Sequence, residues 1–294
     1  MNIGPILVTG AHRSGTTWLG ESIALSNRIV YFHEPFNPKK SPCNKIKFSA
    51  LESKIIYWFT YIGQHNEIDY LRPLNKVFTY GYDPISGIRN VHSKNESIYF
   101  LKTYSHFLKY KYYSHPQLIV KDPIALFSAP WLADRFNMSV IVISSHPAAF
   151  VDSLIRHQFN HPFSHFIKQE SLMSNELSSF TNEIVEFAEN QKPIIEQAIL
   201  LWRILYSQVL KYREQKPSWC YRGYEDLVLN PIIEFETVFE YLNLMFTAEI
   251  KNEIINHLNP NPFGWKNSLN ESQISKIKVG TQDIWPDFYS SSDW

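Results

Sequence analysis

The run Ile6-Leu-Val-Thr-Gly10-Ala-His-Arg13-Ser14-Gly15-Thr16-Thr17-Trp18-Leu19 constrains the fold more than any other stretch of this chain. A short apolar run suited to a buried strand leads into a turn carrying Gly10 and Gly15. The turn opens through Thr16 and Thr17 into an amphipathic helix with Trp18, Leu19, Ile23 and Leu25. Strand, glycine loop and helix in that order aim the backbone N–H groups of the first helical turn at an anion, so the pattern reads as a phosphate-binding loop. In the ATPase form of such a loop a lysine follows the second glycine and reaches the β/γ-phosphates. Here Thr16 holds that place, and the cation stands ahead of the glycine, at Arg13. A loop of this kind still cradles phosphate oxygens but is poorly built for Mg-ATP.

Further short apolar runs recur between helical stretches: Leu118–Lys121, Val140–Ser144 and Trp219–Tyr221. Their alternation with helices predicts an α/β fold of three layers, with a central, mostly parallel sheet and a P-loop-like nucleotide site at the carboxyl ends of its strands. The clearest helix is expected near Pro193–Tyr212, where Ile194, Ile195, Ala198, Leu201, Trp202, Leu205 and Val209 form one apolar stripe. A second is expected near Ile232–Leu244, started by Asn230-Pro231. Pro38–Pro116 and His157–Phe180 settle into no single period and read as connections that form binding walls or lids. The 294 residues are read as a single domain, 1–294.

Composition excludes several classes of function. Lys and Arg together number 28, as do Asp and Glu, so net charge argues for neither a nucleic-acid nor a membrane surface. Cys43 and Cys220 have no metal-ligand spacing, so neither a disulfide scaffold nor a zinc site is expected. The first strand begins within a few residues of Met1, no apolar run can span a bilayer, and a cytoplasmic protein is expected. The sequons at Asn95, Asn137 and Asn270 are then chance matches.

A second strand–turn–helix pattern follows in Val140-Ile-Val-Ile-Ser-Ser145-His146-Pro147, with Ser153 about two helical turns beyond the proline. With Arg13-Ser-Gly-Thr-Thr-Trp18, it resembles the sulfotransferases that use 3′-phosphoadenosine 5′-phosphosulfate (PAPS). The first motif resembles their 5′-phosphosulfate loop, usually Lys/Arg-Ser-Gly-Thr/Ser-Thr-Trp, and the second their 3′-phosphate segment, Arg-x-Pro followed by a serine. The resemblance implies nucleotide contacts from Arg13, Ser14, Gly15, Thr16, Thr17, Trp18, Ser145 and Ser153. Ser145 stands where the family has arginine, which removes a charge-assisted, bidentate phosphate contact. Arg156 and His157 lie three and four residues after Ser153, and Arg156 is the expected partial replacement.

The segment Gly223-Tyr224-Glu-Asp-Leu227 resembles the family's Arg-Tyr-Glu-Asp-Leu, which carries Tyr224 over to the adenine pocket. Gly223 replaces its arginine, with Arg222 one position earlier. The C-terminal Gly264-Trp-Lys-Asn run resembles bacterial-type members, yet the preceding loop, Asn259-Pro-Asn-Pro-Phe-Gly, has no cation before Lys266. The family's chemistry is transfer of SO₃ to an acceptor hydroxyl or amine without a metal. It implies Arg13 and the loop amides on the leaving 5′-phosphate, and Lys121 near the sulfuryl group. Glu34, in His33-Glu34-Pro35, is the implied base of carbohydrate-type members, and His106 the fallback. His33, if the segment is extended, should point away from Glu34. A sugar or glycan acceptor is expected by analogy. Two alternatives stay open: a degenerate, non-catalytic nucleotide-binding protein, and a P-loop kinase.

Overall fold

The computed structural model describes residues 4–27, 29–38, 54–78, 85, 88, 91–112, 116–258 and 261–294, apart from the side chains of residues 77, 99, 103, 106, 107 and 109–111. Five strands build one sheet: β1 (Ile6–Gly10), β2 (Ile29–His33), β3 (Gln117–Lys121), β4 (Ser139–Ser144) and β5 (Cys220–Gly223). Their order is β2-β3-β1-β4-β5, and the pairs β2/β3, β3/β1 and β4/β5 run parallel. The α/β expectation holds. β1 and β3 are buried along their whole length, as continuous apolar runs in a parallel sheet require. β2 is not among the strands the sequence predicts, because Tyr31 and His33 break its apolar run. Among the described residues, no helix is long and apolar enough to cross a membrane.

The helices that position functional side chains are α1 (Thr16–Ile23), α2 (Pro147–Arg156) and α3 (Ile194–Gln215). Pro147 occupies the first turn of α2, where its missing N–H and fixed φ suit a helix start. The expected α3 forms three residues longer at its C-terminus, and the expected second helix runs Pro231–Tyr241. The region 38–116 contains more order than its sequence suggests: helices Ile68–Phe78 and Lys94–Tyr112 lie in it. Pro73 inside the first of these disguises it, since proline in a helix interior is costly.

Two compact units divide the chain: residues Met1–Val8 with Thr17–Val140, and Thr9–Thr16 with Ile141–Trp294. In the first, the register sets Val8 and His33 opposite Lys121, so the ends of β2 and β3 meet at one lysine, beside the middle of β1. In the second, the core gathers on α3, where Leu201, Trp202, Leu205 and Val209 are buried with Phe150, Val151 and Leu154 of α2.

Candidate active site

The glycine loop belongs to the second unit and departs sharply from helical or extended backbone. Arg13 and Gly15 have φ of +68° and +83°. Such values cost a side-chain-bearing residue about 1–3 kcal/mol, and their retention at Arg13 marks a position held by its surroundings. At Gly15 a Cβ would overlap the ring of Tyr224, so only glycine fits beneath that tyrosine. Tyr224 is thereby packed on the loop.

Ser14 is buried, and its hydroxyl lies 2.8 Å from that of Ser145. The rest of Ser145 is committed to α3. Its amide donates to Tyr206 Oη at 2.5 Å, its carbonyl accepts from that hydroxyl at 2.8 Å, and Trp202 Nε1 donates to the same carbonyl at 3.3 Å. With 2% of its surface exposed, Ser145 anchors the loop through Ser14. Next to it, His146 donates its amide to Glu225 Oε1 at 2.9 Å and caps α2 by accepting from Ala148 N–H on Nδ1. Burial pushes Glu225 up to about 7 and His146 down to about 3. Glu225, Tyr206 and Trp202 gave no functional signal in the sequence. Trp202 reads as core stripe, Glu225 stands in the Tyr-Glu-Asp-Leu segment with no role of its own, and Tyr206 reads as one more aromatic of a helix.

Arg13 reaches α2. Its Nε donates to Ser153 Oγ at 3.0 Å, and Nη2 lies 3.2 Å from His157 Nε2. The His157 Nδ1 is 2.8 Å from the Ser153 carbonyl, which can only accept, so Nδ1 is the donor there and Nε2 faces the Arg13 guanidinium as acceptor. Arg156, the replacement the sequence suggests, is engaged elsewhere on α2 through its Nε. Its Nε donates to Asp152 Oδ2 at 2.9 Å, one helical turn back, and Ser268 donates to the other oxygen of that carboxylate. Arg222 pairs with Glu234 at 3.2 Å, and the Lys266 ammonium sits over the rings of Phe263 and Trp265. Thr16 is buried, Thr17 exposed and Trp18 half-buried at the start of α1. Asn259 lies outside the described residues, as does Cys43.

The first unit holds a cluster of a different character. Glu34 N–H donates to the Lys121 carbonyl at 2.8 Å, carrying the β2/β3 ladder one residue further, and φ of +41° then turns the chain. The turn is pinned by Asp122, whose Oδ2 accepts from Phe36 N–H at 2.6 Å and Oδ1 from Ile124 N–H at 3.0 Å. Lys121 Nζ donates to Glu34 Oε1 at 2.5 Å and Asn37 Nδ2 to Oε2 at 2.8 Å. The lysine side chain is 1% exposed and the glutamate 18%. Gly20 of α1 makes room for the lysine stem, since a Cβ there would sit 3.2 Å from Lys121 Cβ and Cγ.

His33 does not point away from Glu34. Its Nε2 lies 3.7 Å from Glu34 Oε1, and Nδ1 lies 3.3 Å from the Tyr31 hydroxyl. The alternation of an extended strand ends at Glu34, where the positive φ rotates the carboxylate back beside the imidazole. Burial pushes the Glu34 carboxyl up, but Lys121, His33 and the hydrogen bonds outweigh it and hold the group below the usual range. Asp122, fully buried and close to the Glu34 charge, is pushed up to about 8. Burial also raises the Tyr31 phenol, helped by Glu21, Glu34 and Asp122. Asn37 and Asp122 were not foreseen as parts of this cluster. His106 lies on helix Lys94–Tyr112 with its side chain outside the described set.

Residues 4–293 match the sulfotransferase domain family. The chain belongs to that family. A sulfotransferase domain from the curacin biosynthetic pathway is similar in structure, at 17% identity over 97% of this chain and 96% of its own, with a TM-score of 0.50. Also similar are the sulfotransferase domain of the Synechococcus PCC 7002 olefin synthase (14% identity, 98% and 96% covered, TM-score 0.44) and a sulfotransferase from Mycobacterium avium (13%, 98% and 77%, 0.46). At 17% identity the first of these likenesses speaks to the fold alone. No curated protein sequence matches the chain.

Proposed function

We propose that this member of the sulfotransferase family is a single-domain enzyme that transfers a sulfuryl group from PAPS to an acceptor hydroxyl or amine, a sugar or glycan hydroxyl being the first choice. The observation that carries the reading is the hydrogen bond from Arg13 to Ser153. It joins two segments, 140 residues apart, that each resemble a phosphate-binding element of PAPS enzymes. The residues fit an anionic nucleotide. The loop backbone at Gly15 leaves no space for a side chain, Arg13 supplies the loop's cation, and Ser153 lends a buried hydroxyl.

PAPS, when bound, supplies an activated sulfuryl group on a phosphate leaving group. In the transfer, the sulfur–oxygen bond to the 5′-phosphate breaks as the bond to the acceptor atom forms, and the acceptor loses a proton. Arg13 and the N–H groups of residues 15–17 stabilise the charge that gathers on the 5′-phosphate. Glu34 takes the acceptor proton, and the Lys121 ammonium keeps that carboxylate ionised and ready. Asn37 and Asp122 hold the carboxylate and its turn in place.

One observation favours a second reading, a nucleotide-binding protein without turnover: Ser145 replaces the family's arginine and is sealed behind Tyr206. Thermal melts with adenosine 3′,5′-bisphosphate, AMP and ATP–Mg²⁺ separate the readings. Stabilisation by the bisphosphate above the other two supports the PAPS reading, and stabilisation by ATP–Mg²⁺ alone points to a kinase. No shift with any nucleotide overturns the donor assignment.

A further inference from the structure

The arginine expected at the second phosphate of the nucleotide is absent, and the structure accounts for each cation that the sequence offers nearby. Ser145 cannot substitute directly, because its hydroxyl, amide and carbonyl are taken by Ser14, Tyr206 and Trp202. Arg156 is bound to Asp152, Arg222 to Glu234, and Lys266 lies over aromatic rings. Among the described residues, His157 stands beside Ser153 together with Arg13, and its imidazole is the group not already assigned to the 5′-phosphate.

Its geometry is specific. His157 closes α2 at the C-cap and is exposed. The donor bond from Nδ1 to the Ser153 carbonyl fixes both the tautomer and the ring plane, which leaves Nε2 turned to the Arg13 guanidinium. Arg13 Nε meets the Ser153 hydroxyl in the same place. Three polar groups thus converge: a guanidinium, a hydroxyl that is 6% exposed, and an imidazole nitrogen. A phosphate monoester with a second pKa of about 6 is partly protonated near neutrality. The P–OH of such a monoester can donate to Nε2, which faces outward as an acceptor, while an unprotonated oxygen of the same phosphate accepts from the Ser153 hydroxyl.

We infer that His157, together with Ser153, forms the recognition site for the ribose 3′-phosphate, with Arg13 left to the 5′-phosphate, and determines the preference for a bisphosphate nucleotide over a monophosphate. The inference rests on the nucleotide assignment above and assigns the role to His157 and not to Arg156.

Calorimetric titration with adenosine 3′,5′-bisphosphate and AMP tests it on the full chain and on His157→Ala, His157→Arg and Arg156→Ala. The wild type is expected to favour the bisphosphate. His157→Ala should lose roughly tenfold in bisphosphate affinity, about 1.4 kcal/mol, with a much smaller change for AMP. His157→Arg should keep or strengthen the preference, and Arg156→Ala should leave it unchanged. A His157→Ala protein that keeps the wild-type preference overturns the proposal. So does a folded His157→Arg protein that loses it, which covers the case in which the alanine variant does not fold. Wild-type protein that binds both nucleotides equally also overturns it while leaving the donor reading standing, whereas wild-type protein that binds neither removes both.

Discussion

Two polar clusters of this chain, one in each compact unit, hold charge in opposite ways. In the first unit, Glu34 and Lys121 neutralise each other at 2.5 Å, one nearly and the other fully withdrawn from water. In the second, the Arg13 guanidinium donates to a serine hydroxyl and faces an imidazole, on backbone held at φ +68°. The ion pair is set by strand register, because Lys121 ends β3 opposite His33 and the ladder runs on into Glu34. The arginine contact is set by a loop that only glycine at position 15 permits. Under the proposed function the two do different work: the carboxylate beside its lysine handles the acceptor proton, and the arginine loop meets a ligand that brings its own negative charge.

Removing the carboxylate should have the largest effect. Glu34→Gln is expected to lower turnover about 100-fold or more, with bisphosphate affinity nearly intact, since a positioned base contributes roughly 10²–10⁴. The same change strips the buried Lys121 of its counter-charge and should cost roughly 3 kcal/mol in denaturant melts. Adding Lys121→Met should recover most of that stability and none of the turnover. Full turnover in Glu34→Gln would erase the division of labour between the clusters.

The cradle is sharpened by Gly15→Ala. The added methyl meets the Tyr224 ring and the φ of +83° is unfavourable to alanine. With strain of about 1–3 kcal/mol, nucleotide affinity should fall roughly tenfold or more, read by calorimetry. Glu34 chemistry at saturating donor should suffer less.

The smallest effect concerns pH and the support behind the cradle. Glu225 titrates at about 7 in the folded chain against an ordinary 4.5, because it is buried. Between those values the folded state keeps a proton that the unfolded state has lost, so this group's contribution to stability is full below about 4.5 and is lost as pH rises through about 7. Glu225→Gln can still accept from His146 N–H and should flatten the fall in melting temperature between about pH 5 and 8 by roughly 2 kcal/mol. An unchanged slope would move the titration elsewhere; Asp122, pushed up to about 8, has the same sign.

Local features of the fold and site were readable from the sequence, and features made by long-range contacts were not. β1, β3 and β4 are legible because strands buried on both faces need unbroken apolar runs. The glycine loop is legible because its glycines and Thr16 have a fixed spacing. Tyr206 looked like any aromatic of a core helix, and its clamp on Ser145 spans 61 residues. His157 and Arg13 are 144 residues apart, so nothing in either segment announces their contact. At His33 the period-2 rule failed for a definite reason: the strand ends in a left-handed residue, and alternation has no meaning beyond it.

The most direct test of the central claim, that the Arg13–Ser153 cradle takes a PAPS-type nucleotide, is the stabilisation of the wild-type chain by adenosine 3′,5′-bisphosphate across a concentration series. The account predicts a saturable rise in melting temperature, near 2.7 kcal/mol at about 100 times the dissociation constant, with weaker stabilisation by AMP and none by ATP–Mg²⁺. A chain stabilised by ATP–Mg²⁺ alone, or by no nucleotide at all, would contradict it.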